Sequence, residues 1–287
     1  MNYINSIQES INYIEENLSD DLNLDLLAAK TFCSKFHFLR LFQALVGCSV
    51  GQYIKRRRFS FIAKALLETD VTITKIALEY GFNSHAVFDR AFKNNFGISP
   101  AKFRKSRNQF DFFEKVNLNE RKFEKNKAFF TGPVIISLPS MCFIGAKTKG
   151  TFNDNYKNMT VNKFWWKFLN EEWKIENKVD PAKAYGISYE SAYKDVFNYF
   201  AAFEVNCIDA IPDNMDFMKI PAGNYAVFTL TEANNIENFY KALDYIYGVW
   251  LTNSEYELAN HIDLIEVLNQ AYKDGIINSY DLYIPIK

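Results

Sequence analysis

What this sequence lacks narrows it first. It has no run of 18 apolar residues, so no stretch qualifies as a membrane-spanning helix. The opening MNYINSIQESINYIEENL has neither a basic n-region nor an apolar h-region and is not expected to act as a secretory signal. Cysteine is scarce: Cys33, Cys48, Cys142 and Cys207 lie far apart with no C-x-x-C pair. That spacing argues against a zinc cluster and fits a reducing cytosol. Histidine is scarcer still, with only His37, His85 and His261, and no nucleophile–base pair stands out. The expectation is a cytoplasmic non-enzyme with no metal and no cofactor.

What is present points to two jobs. A length of 287 residues suggests about two domains. The net charge of −1 conceals an asymmetry. Residues 1–108 carry 15 Lys and Arg against 10 Asp and Glu, whereas residues 131–287 carry 13 against 20. Between residues 22 and 107 the balance is 15 basic to 5 acidic, behind an acidic cap at Glu15, Glu16, Asp20 and Asp21. A basic segment beside an acidic one implies contact with a polyanion on the first.

The basic segment repeats itself. GFNSHAVFDRAFKNNFGISPAKFRK, shifted back fifty residues, meets SKFHFLRLFQALVGCSVGQYIKR. Ser84, Phe88, Arg90, Phe92, Gly97 and Ser99 fall on Ser34, Phe38, Arg40, Phe42, Gly47 and Ser49, six identities at one offset. Each copy reads as helix, turn, helix. Ser34 and Ser84 are expected to cap the second helix of each copy, and Gly47 and Gly97 to end it. Phe38, Leu41, Phe42 and Leu45 form one apolar stripe, and Phe88, Ala91 and Phe92 its counterpart. Phe36, Leu39, Arg40 and Gln43 face the other way, as do His85, Ala86, Asp89, Arg90 and Lys93. QYIKRRRFSFIAKALLE reads as one long helix between the copies. Two presentation helices about 34 Å apart would enter successive major grooves of one duplex.

ITKIALEYGFNSHAVFDRAFKNNFGISPAKFRK resembles the signature of the AraC/XylS transcription regulators, and LDLLAAKTFCSKFHFLRLFQ resembles their first helix-turn-helix. The resemblance covers about residues 5–107. It implies an all-α, seven-helix domain with two helix-turn-helix units on double-stranded DNA. The family's base-reading sites fall on Phe36, Leu39 and Arg40 in the first helix, and on His85, Ala86, Asp89 and Arg90 in the second. Arg40 and Arg90 have the fork for a guanine edge or a phosphate, while Phe36 and Leu39 offer only apolar contact. Gln43 joins this set. Lys35, Lys55, Arg56, Lys102, Arg104 and Lys105 are expected to grip phosphates, which position without specifying.

The expected division is a DNA-binding domain over 1–107, a linker over 108–130 and a second domain over 131–287. In the last, VIISLP, CFIGAKTKGTF, AYGISYES, YFAAFEV, PAGNYAVFTLT, IDLIEVL and YDLYIPI read as strands. NKFWWKFLNEEW and IENFYKALDYIYGVWL read as helices. The order describes an α+β domain of two strand–helix–strand–strand repeats. Alternation in IDLIEVL puts Ile262, Leu264, Glu266 and Leu268 on one face, so a carboxylate stands in an apolar row. Burying it alone would cost several kcal/mol, so it is expected to be protonated or paired. No nearby Lys or Arg serves; a cationic ligand could. Trp165, Trp166, Tyr185, Tyr189, Phe203, Tyr225, Phe228 and Trp250 are candidates to line such a site.

PAGNYAVFTLT, VWLTNSEYEL and IEVLNQ…YDLYIPIK resemble the GyrI-like effector-binding domain over about residues 131–287. The resemblance implies a pocket between the two halves for a small lipophilic or cationic effector, with a central glutamate at Glu266. Leu268 stands where that family often has an aromatic residue. The combined reading is a ligand-responsive transcription regulator. Two rivals remain: a hydrolase-like enzyme using Glu266 as a general base, and a protein-interaction module that recruits RNA polymerase.

Overall fold

The structure is a computed structural model that describes residues 2–106, 110–121, 130–151, 160–189, 196–231, 236–259, 262–269 and 279–287. It resolves into two compact units. One contains Asn2–Thr31 and Leu41–Lys122; the other contains Phe32–Arg40 and Phe123–Lys287.

The helices run α1 (Tyr3–Glu16), α2 (Leu24–Lys30), α3 (Lys35–Val46), α4 (Val50–Glu68), α5 (Ile73–Glu79), α6 (His85–Phe96) and α7 (Pro100–Lys105). The repeat is visible in their ends. Gly47 and Gly97 adopt φ of 80° and 78°, the left-handed conformation that stops α3 and α6 without a Cβ clash. Ser49 and Ser99 then cap α4 and α7, and Ser49 forms a full capping box with Gln52. Within the helical unit, α4 supplies Phe59, Ile62, Ala63 and Leu66 to a core with Ile76, Ala77, Phe88, Phe92 and Phe103. The basic run of α4 is partly structural. Arg57 is buried and forks onto Glu15 at 2.8 and 2.7 Å, and Arg58 donates to the carbonyls of Leu18 and Asp20.

The other unit is built on one antiparallel eight-stranded sheet: β1 (Phe130–Leu138), β2 (Met141–Thr151), β3 (Lys183–Tyr189), β4 (Val196–Glu204), β5 (Asp216–Ile220), β6 (Gly223–Leu230), β7 (Leu264–Asn269) and β8 (Ser279–Ile286). Helix α8 (Thr160–Leu169) separates β2 from β3. Helix α9 (Ile236–Tyr245) continues through a π-helical turn, Ile246–Trp250, into the short α10 (Leu251–Asn253). The order β1-β6-β8-β7-β3-β4-β2-β5 is two-fold about the β7–β3 seam. The two repeats are β2-α8-β3-β4 and β6-α9-β7-β8, and β5 is a strand that the sequence reading did not contain. The strand leading into each repeat joins the other one: β1 pairs with β6, and β5 pairs with β2.

Antiparallel Cα partners share a face of the sheet. Gly186 lies opposite Glu266, and Glu266 opposite Leu282. Tyr199 lies opposite Ser188, two residues along β3 from Gly186. This face therefore carries Gly186, Tyr199, Leu264, Glu266, Leu268 and Leu282, with Trp165 and Phe168 of α8 packed on Tyr199 and Phe203. The opposite face carries the cluster of Tyr185, Ile187, Phe200, Tyr225, Ile265 and Val267. Ile262, expected beside Glu266, precedes β7 and packs in that opposite cluster, because alternation governs only residues inside the strand.

Candidate functional site

Glu266 stands at the seam where the two halves of the sheet meet. Its cross-strand neighbour Gly186 is small for a reason: a Cβ there would lie 2.0 Å from the Tyr199 hydroxyl and 2.7 Å from the ring carbon that bears it. The missing side chain gives the hydroxyl its place above β3. Trp165 Nε1 donates to that oxygen at 2.9 Å, and Tyr199 hydrogen-bonds Glu266. The indole, phenol and carboxyl thus form one chain of polar groups in an otherwise apolar layer.

Glu266 keeps some accessible surface, yet protein surrounds its carboxyl closely enough to push its pKa up to about 7. Arg40 and the Tyr199 hydroxyl oppose that rise. The counter-charge is thus the chain's own, from a residue 226 positions earlier in sequence. Burial holds the Arg40 guanidinium below its ordinary value, while Tyr240, Tyr247, Asp244 and Glu266 pull the other way. A guanidinium remains a cation at neutral pH under any such shift. It lies over the Tyr240 ring at 5.7 Å and over its neighbour Phe36 at 5.3 Å, in cation–π geometry.

The residues just before Arg40 are fixed in the same unit. Ser34 Oγ accepts from the His37 amide at 3.2 Å, capping α3, and donates to Asp263 at 2.6 Å. His37 is fully buried, with Nδ1 3.2 Å from the Tyr247 hydroxyl. Burial lowers its pKa to about 3, so its 3.9 Å approach to Asp263 is a contact of a neutral ring rather than an ion pair. Phe36 is 4% exposed and meets Phe197 edge-on at 6.3 Å.

Of the aromatic candidates, Trp165 reaches Glu266 through Tyr199. Phe228 is on the same face of the sheet, with Trp250 against it at 5.1 Å. Tyr185, Tyr189 and Tyr225 belong to the opposite face; Tyr185 donates to Glu204 at 3.1 Å. Trp166 is exposed, and Phe203 packs under α8. Tyr199, Tyr240, Tyr247 and Asp244 were absent from the sequence reading. A glycine inside the apolar strand AYGIS was the available signal for Tyr199, since such glycines mark a close approach.

The two base-reading sets are placed differently. In the helical unit, α6 presents His85, Ala86 and Arg90 to solvent, with Asp89 half-buried. Lys55, Arg56, Lys102 and Lys105 are exposed too, and Arg56 lies over the Phe113 ring at 4.0 Å. Arg104 donates to the carbonyls of Leu66 and Val71 at 3.1 and 2.5 Å, closing the end of α4. On α3, Lys35 and Phe36 are buried, while Leu39, Arg40 and Gln43 are half-buried. Among the described residues, no group of His, Cys, Asp and Glu could hold a metal ion, and no helix is long and apolar enough to cross a membrane.

A tandem helix-turn-helix unit on one chain with a two-fold sheet around a recessed carboxylate defines a DNA-binding transcription regulator that carries an effector-binding domain. Residues 27–106 match the helix-turn-helix domain family, and residues 134–286 match the integron-associated effector binding protein family. The chain belongs to the AraC-type regulators, and its carboxy-terminal domain is a GyrI-like, integron-associated effector-binding domain. The probable transcription factor PqrA of Proteus vulgaris is 39% identical over 104 residues, 36% of this chain and 85% of that protein. The transcriptional activator AarP of Providencia stuartii is 41% identical over 100 residues, 35% of this chain and 74% of AarP. The regulator YbfP of Bacillus subtilis is 40% identical over 123 residues, and the chain spans 41% of its length. Among solved structures, the integron cassette protein from Vibrio cholerae aligns at 22% identity and a TM-score of 0.40, over 55% of this chain and 98% of that one. SAV2435 bound to tetraphenylphosphonium aligns at 14% identity and a TM-score of 0.44, over 54% and 93%.

Proposed function

We propose that the carboxy-terminal domain binds a small lipophilic cation at Glu266, and that this binding modulates transcription by the DNA-binding domain. One observation supports the class of ligand above others. The carboxyl of Glu266, crowded by apolar and aromatic groups, already has a guanidinium lying over a tyrosine ring as its counter-charge. A site that accepts a flat delocalised cation between carboxylates and phenols suits an organic cation of similar character. On the DNA side, α6 is the reading helix whose expected contacts stand open, and α3 contributes Leu39 and Arg40.

The test uses the full chain and its own tryptophans. Tetraphenylphosphonium and tetraphenylborate have the same shape and opposite charge. Saturable quenching is expected with the phosphonium, none with the borate, and about tenfold or greater weakening in Glu266→Gln, the factor that corresponds to roughly 1.4 kcal/mol. An equal response to both ions, or to the phosphonium in both proteins, would exclude a carboxylate-centred cation site.

A further inference from the structure

In a reader of DNA the base-contacting turn of a helix should be open, yet the first turns of α3 are fastened inside the effector-binding unit. Ser34 bonds Asp263, His37 bonds Tyr247, Phe36 meets Phe197, and the Arg40 guanidinium lies over Tyr240. These four contacts reach β4, α9 with its π-helical turn, and the segment before β7. They converge from both repeats on the seam that holds Glu266. The composition of α3 agrees: its outward positions hold Phe36 and Leu39, where α6 holds Ala86 and Asp89. A helix that is apolar on both faces is built to be covered.

We propose that segment Ser34–Arg40 is the built-in occupant of the effector site, that an effector cation and the Arg40 guanidinium exclude each other there, and that the effector frees Leu39 and Arg40 for DNA. The inference rests on the cation reading of Glu266 given above. Arg40 then has two alternative anionic partners, the Glu266–Asp244 site and the duplex, and cannot engage both. Effector and DNA each favour the released state, so each must tighten the other by the same factor. The apparent affinity of either ligand for the docked chain is reduced by the small released fraction.

The experiment has a ligand-free arm and a ligand arm, both on the full chain with a duplex recovered by in-vitro selection. Asp244→Asn and Tyr240→Leu weaken the hold on Arg40 without touching α3, and two variants guard against one failing to fold. Both are expected to bind the duplex more tightly than the wild type with no effector present, within the roughly 5–150-fold span of ordinary coupling. Unchanged duplex affinity in both folded variants would overturn the docked state. In the second arm tetraphenylphosphonium is titrated with and without duplex. Tighter binding in its presence, and tighter binding by Arg40→Ala without duplex, are expected. Equal affinity in all three would overturn the competition. Failure of the phosphonium to bind even Arg40→Ala would instead sink the cation reading of Glu266, and with it release by such an effector. The ligand-free arm would still decide whether the segment docks.

Discussion

Replacing Gly186 with alanine is the sharpest test of how the site is held. In an ordinary position this exchange stabilises by about 0.4–1 kcal/mol, because alanine has less freedom to lose on folding. At Gly186 the new methyl would sit 2.0 Å from the Tyr199 hydroxyl and 2.7 Å from its ring carbon. Tyr199 is 1% exposed and tied to Trp165 at 2.9 Å, so it cannot swing clear as an exposed side chain would. Forcing a methyl into such a packed place costs about 1–3 kcal/mol. Loss of the hydrogen bonds through the hydroxyl adds roughly 1 kcal/mol. The net expectation is a destabilisation of about 2 kcal/mol, which lowers Tm by about 4–8 °C in a protein of this size. Tyr199→Phe removes the nearer atom and leaves the ring carbon at 2.7 Å. The double variant Gly186→Ala, Tyr199→Phe should therefore be more stable than the two separate losses add up to, a coupling that a double-mutant cycle reads directly. Calorimetry of the four proteins supplies the numbers. A Gly186→Ala protein with an unchanged or higher Tm would refute the packing argument, and additivity in the cycle would refute the role of Tyr199 in it.

Other perturbations have equally definite outcomes. Folded Glu266 holds its proton up to about pH 7, whereas an unfolded glutamate releases it near about 4.3, so the folded chain binds more protons in between. Stability should fall across that window by up to about 1.4 kcal/mol per pH unit, and Glu266→Gln should flatten the fall in denaturant titrations at several pH values. Arg57→Ala leaves the Glu15 carboxylate, 11% exposed, without its forked partner, and should cost about 3–5 kcal/mol in chemical denaturation. Arg90→Ala on the open face of α6 should weaken specific duplex binding by about 1–3 kcal/mol in gel shifts and relax the preference at one base pair. A variant with wild-type preference would move Arg90 off the base edge.

Much of this was legible because it was local. The apolar stripes, the Ser34 cap and the paired glycines of the helical region depend on residues three to six apart, and the repeat prints the stripes and glycines twice; Ser84 precedes α6 as expected but makes no side-chain capping bond. The strands of the two repeats were legible from their length and composition. Strand β5 was not: DFMKI is five residues with no clean alternation, and only its pairing with β2 makes it a strand. The odd carboxylate was visible in IDLIEVL, but its partner was not. Arg40 reads as a DNA contact by the repeat, and its approach to Glu266 is fixed by tertiary packing that no local pattern encodes. The split of the aromatic candidates between two faces follows from the register at the β3–β7 seam, which a list of strands does not specify. The apolar outward face of α3 was the one sequence sign that this helix differs from α6.

The exchange of leading strands has a consequence for how the second domain can be divided. Because β1 completes the later repeat and β5 the earlier one, each half borrows its edge from the other. A cut at Pro221, between β5 and β6, would give two fragments of similar build. The first would keep β1 with no β6 to receive it, and the second would lack both β1 and the β3 that borders β7. The first fragment would still hold β3-β4-β2-β5 but leave β1 unpaired, and the second would keep only β6-β8-β7, so the two together should reassemble, as a clasp closes only when both parts are present. The seam that carries Glu266 would exist only in the reassembled pair.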